Sequence, residues 1–134
     1  MASREVDLLG RLYELHNATR SGFPDILERD YLREDAEFVE FPAAPGARTH
    51  RGSAAVAALF RNRFEAGEMV LEDIELRDVG AGRVLANFRV RMRGARSGAE
   101  TSMRLWNLVT LDGGRIACIE EFSEEADALA ASKR

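Results

Sequence analysis

Over roughly the first half of the chain the apolar residues recur every three or four positions, and from Met69 onward they alternate, which predicts helices followed by a sheet. Ser3 is placed to cap a first helix reaching to about Arg20, with Leu8, Leu9, Leu12, Tyr13 and Leu15 as its apolar stripe. Leu9, Tyr13 and His16 share one edge of that stripe, so a phenol and an imidazole stand one turn apart. Ser21-Gly22 breaks the helix, and Pro24 suits the first turn of a second one whose Ile26, Leu27, Tyr31 and Leu32 face inward. A short strand is predicted from Glu37 to Phe41. The loop Pro42 to Arg51 belongs at a rim or lid. A third helix is capped at Ser53, carries Val56, Leu59, Phe60 and Phe64 inward, and ends at Gly67.

The second half reads as long antiparallel strands. Val70, Ile74 and Leu76 punctuate the first; Gly80-Ala81-Gly82 turns it; Arg83 to Arg93 then sets Val84, Ala86, Phe88, Val90 and Met92 against Arg83, Asn87, Arg89, Arg91 and Arg93. Such an arginine row either meets an anionic ligand or pairs across strands with acids such as Glu72 and Asp78. Residues 103–122 form the clearest unit, two strands joined at Asp112-Gly113-Gly114-Arg115, because tight hairpin turns need positive φ and Gly adopts it freely. Asn107 interrupts the apolar face of Met103, Leu105, Val109 and Leu111. A buried amide costs free energy unless it is hydrogen-bonded, so this one points to a cavity or a partner. A two-residue turn sets Glu120 opposite Asn107, and a three-residue turn sets Glu121 there. Residues 124–131 form a short amphipathic helix or a frayed end.

Composition narrows the classes. A chain of 134 residues with 46% hydrophobic residues makes one domain, 1–134, with a real core. A net charge of −4 argues against nucleic acid. The single cysteine, Cys118, excludes a disulfide framework and suits a reducing, cytoplasmic setting. His16 and His50 lie too far apart in sequence to suggest a metal site, and no cofactor is expected. No apolar run is long enough to span a membrane.

The order of elements, with the texts DAEFVEFP at 35–42, THRGSAAVAALFR at 49–61 and RLWNLVTLDGGRIACIEEF at 104–122, resembles the SnoaL-like branch of the nuclear transport factor 2-like superfamily. That resemblance covers nearly the whole chain. It implies an α+β fold in the form of a cone-shaped α+β barrel, three N-terminal helices packed on a curved, mainly antiparallel sheet with an apolar pocket at its open end. It also implies a homodimer through the outer sheet face, where Trp106 and Leu108 would meet a partner. Fold alone does not specify function, since members include polyketide cyclases, ketosteroid isomerase, epoxide hydrolases and dehydratases.

Set against ketosteroid isomerase, the oxyanion-hole tyrosine falls on Leu12, beside Tyr13, and the second oxyanion donor falls on Asn107. The general base falls on Glu40 if the short strand is aligned without a gap, or on Phe41 if one is opened. The expectation is an apolar, cyclic small-molecule ligand held by Phe38, Phe60, Phe64, Phe88, Val90, Met92, Leu105 and Glu121. Glu40 and Asn107, with Tyr13 and His16, would do general acid/base chemistry of isomerase, cyclase or dehydratase type. The alternative is a non-catalytic domain that binds a hydrophobic ligand or dimerises.

Overall fold

The computed structural model describes residues 3–41 and 48–134. Helix α1 (Arg4–Thr19) starts where expected, with the Ser3 hydroxyl accepting the Val6 N–H at 3.1 Å. The second helix is shorter than its apolar spacing suggested. Helix α2 (Phe23–Ile26) widens into a π-type turn, Leu27–Tyr31, and strand β1 (Leu32–Val39) begins at Leu32. Leu32 pairs in parallel with Ile116, which draws the backbone into extended form five residues before the expected start; Arg33, Glu34 and Asp35 conceal that start from any apolar alternation.

Part of the expected rim loop is a further short strand, β2 (Thr49–Arg51), antiparallel to Glu37–Val39. Residues 42–47 lie outside the described residues. Helix α3 (Ser53–Ala66) follows; Gly52, rather than Ser53, is its N-cap. Strands β3 (Gly67–Gly80), β4 (Arg83–Gly94), β5 (Glu100–Asp112) and β6 (Arg115–Phe122) form an antiparallel run, and helix α4 (Glu125–Ser132) ends the chain.

The six strands form one open, mixed sheet in the order β2-β1-β6-β5-β4-β3, with β1 and β6 parallel. Helices α1 and α3 pack on its inner face, and the core lies between them: Leu9 and Leu12 from α1, Val56 from α3, and Phe38, Val84, Ala86 and Val109 from the strands. Two bulges decide which side chains reach that face. In β3 the ladder skips between Glu72 and Glu75, with Asp73 at φ 51°, so the inward set changes from Met69 and Leu71 to Ile74 and Leu76.

The second bulge resolves the hairpin register. Asp112 pairs with Arg115 around Gly113-Gly114, both at positive φ, so the turn has two residues. The ladder then slips between Thr110 and Leu111, and Asn107 comes opposite Glu121 rather than Glu120.

The outer face is not bare. Helix α4 lies across β4, β5 and β6, and Ala128 and Ala131 are buried there with Leu85 and Leu108. Leu108, expected at a dimer contact, is 0% exposed, because the chain's own last helix covers it; Trp106 stays half-buried. Arg83, the first of the arginine row, donates to the carbonyls of Ala131, Ser132 and Arg134 at the end of α4. Arg91 pairs with Glu72 at 2.7 Å and Arg93 with Glu100 at 3.8 Å, so much of the row is cross-strand pairing. Asp78 instead accepts the Gly80 N–H.

Candidate functional site

Between α1, α3 and the inner face of the sheet lies a cavity of about 280 Å³. Its wall is apolar almost throughout, with Phe38, Phe60, Phe88, Val90 and Leu105 among the residues lining it. Met92 and Met103 also line it, yet they are 38% and 42% exposed, so they mark where it opens. Among the described residues five polar side chains interrupt the wall: Tyr13, His16, Arg63, Asn107 and Glu121.

Each polar group has a local cause for its position. On α1, Tyr13 and His16 are one turn apart and therefore face the same way. On β5, Asn107 continues the inward parity of Leu105 and Val109. On β6, Glu121 continues that of Ile119 and faces Asn107 across the hairpin. Arg63 extends the α3 stripe one turn beyond Phe60.

Glu121 is 4% exposed, and burial in an apolar wall pushes its carboxyl above the usual carboxylate range. Arg63 opposes that shift, and the neighbouring charge of Glu40 adds to it. The two arginine nitrogens donate to the two carboxylate oxygens at 3.4 and 3.5 Å, long for a charge-assisted pair. Arg63 is held back by its seat on the faces of Phe38 and Phe60, 5.1 and 5.7 Å from the ring centroids.

Asn107 donates from Nδ2 to the Tyr13 hydroxyl at 3.5 Å, the outer limit for such a bond, and its Oδ1 is buried with no partner. The Tyr13 hydroxyl stays protonated. Burial pushes its pKa up to about 12, against the hydrogen bond from Asn107 and with the charge of Glu121. His16 is held neutral, its pKa pulled down to about 4 by burial, against the hydrogen bond to Asn17 and with the charge of Arg63. Its Nε2 is a second buried atom without a partner.

Of the residues expected to act, Tyr13, His16 and Asn107 come together on this cavity, with Glu121, Phe38, Phe60, Phe88, Val90, Met92 and Leu105 of those expected to hold the ligand. Glu40 does not line it. It lies just past the end of β1, where the antiparallel return brings His50 within 3.0 Å of its carboxylate, and the two pair beside the cavity. Phe64 stands one layer back, against His16 and Phe23 at 5.0 and 6.4 Å between centroids, because the helical turn after Phe60 carries it toward α1. Arg63 was missed, although its spacing from Val56 and Phe60 already placed a cation on the inward stripe. Among the described residues no group of three or more His, Cys, Asp or Glu is placed to hold a metal ion, and no helix is long and apolar enough to cross a membrane.

The open mixed sheet with helices on its inner face defines the class: an α+β fold of the nuclear transport factor 2-like kind. More narrowly, the sequence profile of the SnoaL-like domain matches residues 11–119, and the chain belongs to that family. Comparison with curated proteins finds no match.

Among solved structures, an NTF2-like protein of unknown function from Burkholderia pseudomallei K96243 is similar at a TM-score of 0.75 and 15% identity, over 99% of this chain and 100% of that one. Another NTF2-like protein, from Burkholderia xenovorans LB400, has a TM-score of 0.70 and 23% identity, over 100% of this chain and 99% of that one. A protein of Jannaschia sp. CCS1 provisionally named a SnoaL-like polyketide cyclase has a TM-score of 0.72 and 16% identity, over 98% of this chain and 95% of that one. At these identities the likeness is one of fold.

Proposed function

We propose that the cavity takes up a small, largely apolar, cyclic molecule bearing a carbonyl and that the protein moves a proton on it, as an isomerase, cyclase or dehydratase would. The observation that carries this is Glu121: a carboxylate on an apolar wall, raised in pKa toward the range useful for proton abstraction, with an arginine that contacts it only at long range. In the proposed step Glu121 takes the proton from the carbon beside the carbonyl. The C–H bond breaks, its electron pair moves into the enolate, and the oxygen takes the charge. The Tyr13 hydroxyl and Asn107 Nδ2 are the donors for that oxygen, and one such donor in a dry site contributes about 3–4 kcal/mol to the transition state. Where a double bond is conjugated to the enolate, Glu121 returns the proton to the far carbon and completes an isomerisation; where a second carbonyl is within reach, the enolate carbon attacks it and the alkoxide so formed takes the proton back from Glu121, completing a cyclisation. The SnoaL-like family supports this range of chemistry.

The test follows solvent deuterium entering the position beside the carbonyl of 2-tetralone by NMR. Wild-type protein is expected to accelerate exchange, and Glu121→Gln to abolish the acceleration while still binding the ketone. Acceleration that survives Glu121→Gln refutes the assignment. Binding without exchange leaves a ligand-binding domain, the reading favoured by the pairing of Arg63 with Glu121.

A further inference from the structure

Asn17 fixes a feature of the cavity that no proton-transfer role uses. Its side chain crosses from α1 to β3 and is held at both ends by one residue's backbone: Nδ2 donates to the Leu71 carbonyl at 2.7 Å, and Oδ1 accepts the Leu71 N–H at 2.9 Å. The strand therefore decides which end of the amide is oxygen. That oxygen is the atom 3.2 Å from His16 Nδ1. An amide oxygen only accepts, so the hydrogen of the neutral ring sits on Nδ1 and Nε2 is left as a bare lone pair. His16 is 2% exposed, clamped by Phe23 and Phe64 at 4.9 and 5.0 Å between centroids, and its Nε2 has no partner. The ring lines the cavity.

On the reading that this cavity holds a ligand, we infer that His16 is a specificity residue: a fixed hydrogen-bond acceptor, oriented by Asn17, that selects molecules presenting a hydroxyl hydrogen to the α1 side of the cavity. An apolar ligand leaves the lone pair desolvated and unpaired. A hydroxylated one satisfies it. A site built around a buried acceptor discriminates against the analogue that lacks the donor because the protein's own group is then stranded. The low pKa of the ring agrees with this role, since a protonated Nε2 would be a donor and would take an ether or carbonyl oxygen as readily as a hydroxyl, losing the selection. Asn107 Oδ1 is a further buried acceptor without a partner.

The experiment compares 2-naphthol with 2-methoxynaphthalene, which share two rings and an oxygen but differ in the donor hydrogen. Wild-type protein is expected to bind the naphthol about tenfold more tightly by titration calorimetry. His16→Phe keeps the ring between Phe23 and Phe64 and should bind the two equally, with its fold checked by circular dichroism. In ¹⁵N-histidine NMR, His16 should show the Nδ1–H tautomer at neutral pH, and naphthol should move the Nε2 resonance. Asn17→Leu should lose both the tautomer and the preference. An Nε2–H tautomer in the wild type, equal binding of the two compounds, or a preference that survives His16→Phe overturns the inference and leaves the proton-transfer reading standing. Binding of neither compound removes the cavity as a ligand site and takes the inference with it.

Discussion

Replacing Asn107 by Leu, Tyr13 by Phe, and both together tests whether this polar pair is there for a guest or for the core. In the wild type Asn107 makes one marginal hydrogen bond, 3.5 Å to the Tyr13 hydroxyl, and leaves Oδ1 buried without a partner. A bond of that length is worth less than about 1 kcal/mol, whereas a buried unsatisfied group costs about 1–3 kcal/mol. Asn107→Leu removes the unsatisfied oxygen but strands the Tyr13 hydroxyl, so its net effect on stability is close to zero. Tyr13→Phe strands both ends of the amide and should destabilise by about 1–2 kcal/mol. The double variant removes every stranded atom and should be more stable than the wild type by about 1–3 kcal/mol while losing ligand binding. Urea unfolding reads the four proteins, provided the slope with denaturant is unchanged. A double variant less stable than the wild type by more than about 2 kcal/mol would mean that the pair is a structural element of the core, and the site argument would fail.

Three further outcomes are expected. His16 has a native pKa of about 4 against an ordinary 6.5, so the unfolded chain binds the extra proton between those values, and stability falls as pH drops through that window by roughly 3 kcal/mol; His16→Phe should flatten this acid limb in unfolding titrations. Gly67→Ala would drive its Cβ into the Arg93 carbonyl oxygen, a backbone atom that cannot step aside, and should cost at least about 2 kcal/mol by the same unfolding measurement. The homodimer that the family resemblance implies, now centred on half-buried Trp106 without Leu108, should dissociate on Trp106→Lys in sedimentation; a dimer that persists places the contact elsewhere.

Much of this was legible in the residues. The stripe of Leu9, Leu12, Tyr13 and His16 needs only the helical repeat to face one way, and Val84, Ala86, Phe88 and Val90 need only the pleat. Asn107 announced itself as the one amide on an apolar face. What misled was local irregularity. The hairpin turn has two residues, which by itself sets Glu120 opposite Asn107, but the slip after Thr110 moves Glu121 there. Glu40 fell at the general-base position in an alignment without a gap, yet its place depends on where the chain leaves the sheet and on which residue the returning strand β2 sets beside it; that residue is His50. Leu108 had the alternation of an exposed interface residue, and nothing in that alternation shows that α4 folds back over it.

The sequence by itself determined the order of the helices and the long strands, the family, and most of the polar groups available to an apolar hollow, because those follow from periodicity and from residue types read locally. Tertiary structure alone decided which of those groups meet. A bulge, a parallel pairing or a helix laid across a face is chosen by competition among distant segments for the same hydrogen bonds and the same buried area. For that reason Glu121 rather than Glu40 stands in the wall, and the amide of Asn17, held by a strand 54 residues away, sets which nitrogen of His16 is bare.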